Sequence, residues 1–267
     1  MNNVHICFII LYIIFLYLSI YYQTFFTPSE YLVKNKQKNV ARTIANNDEK
    51  WYNIVTKYKK GLILMDNYNA KGINLPKTKL GLAKMNKLLD AAEQLFTTNG
   101  FHGTSISDIC KKAGTAVGTF YIYFDTKTDV YRYLMWKYQR QIKSLLADSI
   151  KGCKTRYERE REGIKCFVKF AIRTPNVYNV IWGSLSIDKN LFTDYYSSFA
   201  ESYTHALIGS GDEVDIPDAT TVAYMLMGIS NFVGLRAIFE DMRDEDIDRI
   251  IEETVMPVLS NGIFKNC

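Results

Sequence analysis

Residues 111–124 read KKAGTAVGTFYIYF. Small residues lead into a second glycine, and four aromatics then fall within five positions. The run is too short for a core helix and too aromatic for an ordinary surface loop. Its meaning comes from what precedes and follows it.

Upstream, Met85, Leu88, Leu89, Ala92, Leu95 and Phe96 recur at helical spacing, which predicts one amphipathic helix from about Lys84. Asn99-Gly100 ends it, with Gly100 free to take the left-handed conformation after the last turn. The stretch 104–114, TSISDICKKAG, predicts a second helix. Ser105 and Asp108 stand at capping-box spacing, Ile106, Ile109, Cys110 and Ala113 turn inward, and Gly114 closes it after about two turns. Thr115 is then placed to cap a third short helix over Ala116–Tyr121.

Two short helices joined by a tight glycine turn read as a helix-turn-helix, whose second helix enters the major groove of DNA. Small residues allow close approach to base edges. Phe120 and Phe124, four apart, suit packing on the first helix, while Tyr121 and Tyr123 can present hydroxyls to phosphates. Spacing alone fits equally well a small bundle whose middle helices merely pack.

Residues 88–131, LLDAAEQLFTTNGFHGTSISDICKKAGTAVGTFYIYFDTKTDVY, resemble the N-terminal domain of tetracycline-repressor-like (TetR family) transcription regulators. The shared pattern is an amphipathic helix ending in Phe and Gly-Phe, then Thr-Ser-Ile-x-Asp-Ile-x-x-x-Ala-Gly-Thr, then Gly-Thr-Phe-Tyr-x-Tyr-Phe-x-x-Lys. The resemblance implies an all-α homodimer: a three-helix head over 76–130 that binds double-stranded operator DNA, and a helical ligand-binding and dimerisation domain over 131–267. Carried over by position, Thr104, Ser105, Thr119, Tyr121, Tyr123 and Lys127 resemble phosphate or sugar contacts. Thr115, Ala116 and Val117 occupy the leading edge of the recognition helix. Many members have serine and a basic or polar residue where this chain has Ala116 and Val117, so direct readout is expected from Thr115 and from apolar contact with thymine methyls. Lys77, Lys79, Lys84 and Lys87 are expected near the flanking backbone or minor groove.

Charge fits a polyanion-binding segment. Residues 76–143 hold eleven Lys/Arg against five Asp/Glu, whereas 152–267 hold twelve against eighteen. Ordinary solvated helix faces would give a similar count.

Residues 126–150 predict a long helix capped by Thr126 or Asp125, with Val130, Leu134, Tyr138, Ile142 and Leu145 on one face. Further helices are expected at about 156–173, 175–186, 189–208, 217–240 and 244–260, with Pro175 and Pro217 at helix starts. Phe167, Phe170, Tyr178, Trp182, Tyr203, Tyr224, Met225 and Phe232 are the candidate ligand-contacting residues. For any one of them, core packing is the favoured explanation. Few charges share their faces, so the expected effector is small and apolar or aromatic. The nearly uncharged stretch 223–239, with Gly228 and Gly234, suits close packing against its twin across a two-fold axis and resembles the family's dimerising helix.

Enzymatic chemistry has no foothold. There is no GxSxG, HExxH or glycine-rich phosphate loop, and the three histidines are dispersed. The five cysteines lack paired spacing, so neither a disulfide framework nor a metal site is expected, and no cofactor is implied. A reducing cytoplasm is the expected compartment.

The first 75 residues stand apart. Residues 4–22, VHICFIILYIIFLYLSIYY, are long and apolar enough to span a bilayer, with Lys34, Lys36, Lys38 and Arg42 after them. An anchor there would leave the rest in the cytoplasm and make the chain a membrane-anchored sensor with the same DNA-binding head. The composition, rich in Ile, Tyr, Phe, Asn, Lys and Leu, instead favours translated AT-rich leader sequence. Residues 59–65, KKGLILM, then mark Met65 as the expected natural start. A soluble extension is the third reading, and direct membrane association is the less favoured expectation.

Overall fold

The computed structural model describes residues 72–262, and the expectations for the apolar leader and for Met65 lie outside them. Ten α-helices are named in chain order. The head comprises α1 (Lys79–Asn99), α2 (Ile106–Ala113) and α3 (Val117–Tyr123). Helix α4 (Lys127–Ser149) follows, then α5 (Arg156–Arg173), α6 (Pro175–Gly183), α7 (Lys189–Ile208) and α8 (Ala219–Phe239). The C-terminal run is α9 (Asp244–Ile250), a π-helical stretch Ile251–Val255, and α10 (Met256–Asn261). No strand occurs among the described residues, so the all-α expectation holds. They belong to one compact unit. Position 131, where the expected domains divide, falls inside α4.

Local chemistry sets most boundaries. Thr78 caps α1 by accepting from Gly81 N–H, so the helix starts several residues before its apolar stripe becomes legible. Ser105–Asp108, Thr126–Asp129 and Thr155–Glu158 form capping boxes at α2, α4 and α5. Pro175 opens α6, but Pro217 does not open α8: Asp218 caps that helix, accepting from the Thr220 and Thr221 amides. Gly114 takes the left-handed conformation, φ 64° and ψ 40°, that the tight turn between α2 and α3 requires. Gly100 also has positive φ, 73°, but with ψ 169° it is not the left-handed cap expected there.

The head packs around Met85, Leu88, Leu89 and Ala92 of α1, Ile109 and Cys110 of α2, and Phe120 of α3, all buried. The chain before α1 is tied down as well. Asn74 N–H donates to Tyr123 O (2.8 Å), Asp125 N–H donates to Gly72 O (3.0 Å), and Ile73 bridges Phe124. Gly72, at φ +88°, leaves room for the Asp129 carboxylate, which a Cβ would approach to 2.8 Å. This clasp fixes the entry of α1 against the exit of α3. Sequence reading missed it because one isolated bridge leaves no periodic pattern.

In the body, α8 packs between α5 and α7. Ile164 and Val168 of α5 meet Ala237 of α8 and Ile247, Ile251, Val255 and Met256 of the C-terminal run in one core. Along the outside of α5, Lys165 pairs with Glu252 (2.5 Å), Lys169 with Asp248 (2.7 Å) and Arg173 with Asp244 (2.7 Å). Three acids of the C-terminal run are thereby paired within the chain. Such half-exposed pairs contribute about 0–1 kcal/mol each, so the apolar core holds the C-terminal helices and the ion pairs set their register.

Candidate nucleic-acid interface and aromatic interior

Helix α3 is under two turns long and cannot persist alone in water. Phe120 and Phe124, both fully buried, hold it, with ring centroids 5.7 Å apart; Phe124 passes the contact to Tyr133 of α4 at 6.1 Å. The opposite face is solvent-exposed: Val117, Tyr121 and Ile122 are 44%, 52% and 60% exposed, and Gly118 would admit a Cβ freely. Ala116, at the uncapped start of the helix, is exposed too. Thr119 is half-buried.

Cations flank this face. Lys111 and Lys112, exposed, end α2 just before the turn into α3. The start of α1 lies beside the other end of α3, through the clasp and the proximity of Gly81 to the Tyr123 hydroxyl, which puts exposed Lys77 and Lys79 there. The arrangement is a short exposed apolar ridge between positive shoulders.

Four expected contacts are not part of that surface. Thr104 is 1% exposed, and its hydroxyl donates to Gly100 O (2.8 Å) and Leu95 O (3.2 Å), locking the α1–α2 turn. Thr115 does not cap α3; its buried hydroxyl faces the Cys110 thiol. Tyr123 is 5% exposed and packs under the start of α1. Lys127 turns inward: Nζ donates to Phe101 O and Thr104 O, both at 2.6 Å, and lies 4.2 Å from the Phe101 ring centroid. Burial pushes its pKa below the ordinary lysine value. Ser105 remains exposed, its hydroxyl donating to the Asp108 carboxylate (2.6 Å). The three-helix head is thus stapled by groups that the motif alone made look like surface contacts.

Lys127→Ala removes two charge-assisted hydrogen bonds and leaves Phe101 O with only the long Thr104 amide contact (3.3 Å). We expect a loss of roughly 2–3 kcal/mol, read as a melting-point drop of about 5–10 °C. The salt dependence of DNA binding should stay as in the parent, whereas Lys112→Ala should lower the log–log slope by about 0.9. A shallower slope for Lys127→Ala at unchanged stability would contradict the staple.

The second candidate region is the interior of the body. Phe170 and Tyr178 are buried, and Phe167, Trp182 and Tyr203 are half-buried. The Tyr178 hydroxyl donates to Asn231 O (3.1 Å), and a Cβ on Gly234 would meet that hydroxyl at 2.6 Å and Phe167 at 3.7 Å. Gly234 therefore serves close packing of α8 on α5 and α6 within the chain rather than on a twin. Trp182 stacks toward Phe192 (6.1 Å), Phe192 toward Tyr196 (4.6 Å), and the Tyr196 hydroxyl donates to Asn231 Oδ1 (3.4 Å). Tyr203 donates to Glu160, which also pairs with Arg156 at 2.5 Å. Burial pushes the phenols of Tyr131, Tyr138, Tyr178, Tyr195, Tyr196 and Tyr203 up, so the interior hydroxyls stay neutral. Phe192, Tyr195 and Tyr196 were not singled out in the sequence, although Phe192, Tyr196 and Phe199 repeat at i, i+4, i+7.

Tyr224, Met225 and Phe232 do not join this interior. They are 46%, 61% and 59% exposed, on a face of α8 that also carries Gly228 and Phe239. Helix α8 is apolar around most of its circumference, and it alone among the described helices is long and apolar enough to cross a membrane. Its buried side is the body's own core, so the exposed side is what the apolarity leaves over.

The interior connects to the head at α6. The Tyr131 hydroxyl of α4 donates to Val180 O, and Phe96, Phe101 and Tyr131 form a ring cluster at 5.2–5.5 Å beside it.

Comparison with known proteins agrees with this geometry. Residues 88–134 match the family described as bacterial regulatory proteins, tetR family. Over 53 residues the chain is 51% identical to an uncharacterized HTH-type transcriptional regulator, YvdT, of Bacillus subtilis, a stretch covering 20% of this chain and 26% of that protein. It is 43% identical over 47 residues to the fatty acid metabolism regulator protein of the same organism, covering 18% and 24%. The chain thus spans about a quarter of the length of these relatives. The crystal structure of FadR from Bacillus subtilis in complex with stearoyl-CoA superposes with a TM-score of 0.56 at 22% identity, covering 67% of this chain and 98% of that one, which extends the likeness of fold through the body. Residues 88–134 thus carry the helix-turn-helix described for the tetR family of bacterial regulatory proteins.

Proposed function

We propose that this protein is a ligand-responsive transcriptional regulator. It binds double-stranded operator DNA as a homodimer in the cytoplasm and is released, as a repressor, by a small apolar or aromatic effector. The observation that carries the reading is the α3 ridge, exposed and flanked by lysines at both ends. Val117 and Ala116 face the bases, while Ser105, Thr119 and Tyr121 face the backbone. The dimer forms through the exposed apolar stripe of α8, which also accounts for Tyr224, Met225 and Phe232.

Support for the effector class comes from the aromatic interior between α5, α6, α7 and α8 and from the relative whose structure holds stearoyl-CoA. A long acyl chain is an apolar ligand of the proposed kind. Coupling runs through α6, which touches both that interior and α1. An effector that prefers the DNA-incompetent arrangement a hundredfold supplies about 2.7 kcal/mol per site.

Duplex binding followed by fluorescence anisotropy across a salt series tests the DNA assignment. Tyr121→Phe should weaken binding to all sequences by roughly two- to tenfold with no change in melting temperature, because the residue is 52% exposed. Unchanged affinity would remove Tyr121 from the interface. Titration with long-chain acyl-CoA, aromatic and cationic amphiphiles tests the effector. Trp182 emission should change over the same concentrations that release DNA, and Trp182→Phe should abolish that optical signal. Release only by small, strongly charged compounds would exclude an apolar effector.

A further inference from the structure

The base-facing surface of α3 is chemically narrow. Among Val117–Tyr123 there is no Arg, Lys, Asn, Gln, Asp or Glu. Phe120 and Tyr123 are buried. What remains outward is Val117, Gly118, Tyr121 and Ile122, which the helical period gathers on one face, preceded by the Ala116 methyl. The neighbouring hydroxyl of Thr115 is turned toward Cys110 and is lost to the surface.

The major groove distinguishes bases by complementary groups. Guanine is read by Arg or Lys on O6 and N7, adenine by Asn or Gln on N6 and N7, and cytosine by a carboxylate on N4. Thymine alone is read by apolar contact, through its C5 methyl. Three of these four codes need a side chain that α3 does not have, and its remaining hydroxyls, Thr119 and Tyr121, are the ones assigned above to the backbone. The nearby cations belong to other elements, where the first helix of the motif crosses the backbone rather than the base edges.

We infer that α3 specifies its operator through thymine methyl groups, with Ala116, Val117 and Ile122 as the reading residues and half-sites built from A·T pairs. Adenine is specified indirectly, by the thymine opposite. The open space above Gly118 lets the backbone come close enough for the short side chains to reach. This rests on the DNA-binding reading above and adds to it the class of sequence recognised.

The test uses the full chain and duplexes enriched from a random-sequence pool, each prepared with thymine and with uracil, which pairs identically but lacks the methyl. Enriched half-sites should be A·T-rich and centred about one helical turn apart or a multiple of it. Uracil should weaken binding about fourfold for each methyl contacted, leaving affinity for unselected DNA unchanged. Val117→Ala and Ile122→Ala, both at exposed positions, should reduce the thymine-over-uracil preference, so that protein and DNA changes are non-additive. Enriched sites that are G·C-rich, or bound equally with uracil, overturn the inference while leaving DNA binding intact. Failure to retain any duplex overturns the DNA-binding reading and this inference with it.

Discussion

Phe120→Ala is expected to cost about 3–5 kcal/mol, the range for truncating a fully buried phenylalanine, and to abolish operator binding. Phe120 has no exposed surface and is, with Tyr123, one of two buried residues in α3. Helix α3 is held by that ring rather than by its own hydrogen bonds, so a cavity there frees the recognition surface before the rest of the chain unfolds. Against a total stability of about 5–15 kcal/mol the protein remains largely folded at low temperature. Two measurements check this. Thermal melting should fall by about 10 °C, and hydrogen exchange over residues 115–124 should lose protection while α5 and α8 keep theirs. Leu134→Ala in α4, also fully buried, is the comparison: a similar melting loss with α3 still protected. Near-parental DNA affinity in Phe120→Ala would show that the ridge is not positioned as described.

Phe232→Asp is expected to convert the proposed dimer to monomer and to lower operator affinity by about 10²- to 10⁴-fold. Phe232 is 59% exposed in the single chain, with Met225 at 61% and Phe239 at 53% along the same side of α8. In an isologous interface each substitution appears twice near the two-fold axis, so two carboxylates would be buried unpaired. The isolated chain loses nothing comparable, because the ring is not part of its own core. Sedimentation should therefore show a folded monomer with an unchanged circular dichroism spectrum. A dimer that persists in Phe232→Asp would move the interface off this face. The same substitution separates the two reasons for apolarity in α8: Gly234→Leu, on the side facing Tyr178, should instead unfold the body at any association state.

The sequence by itself determined the all-α architecture, the place of each long helix to within a few residues, and the turn that makes residues 104–124 a helix-turn-helix. These follow from local physics: capping side chains at Ser105 and Thr126, a closing glycine at 114, and an apolar repeat at 3.6 residues in α1 and α4. The pattern of α4 was legible residue by residue, since Val130, Leu134, Tyr138, Ile142 and Leu145 are all buried. Only the tertiary structure decided which way ambiguous side chains turn. In α3, with seven residues, no period can be established, and Tyr121 and Tyr123 look alike until packing against α1 buries one and leaves the other out. Lys127 and Thr104 look like surface groups because their partners are carbonyls at the end of α1 and in the α1–α2 turn, 23 to 26 positions and 4 to 9 positions away respectively. In α8 almost every residue is apolar, so hydrophobicity cannot tell the side that meets Tyr178 and Phe167 from the side left open at Met225 and Phe232. That choice belongs to the neighbours of the helix, α5 and α7, and is made only when they assemble.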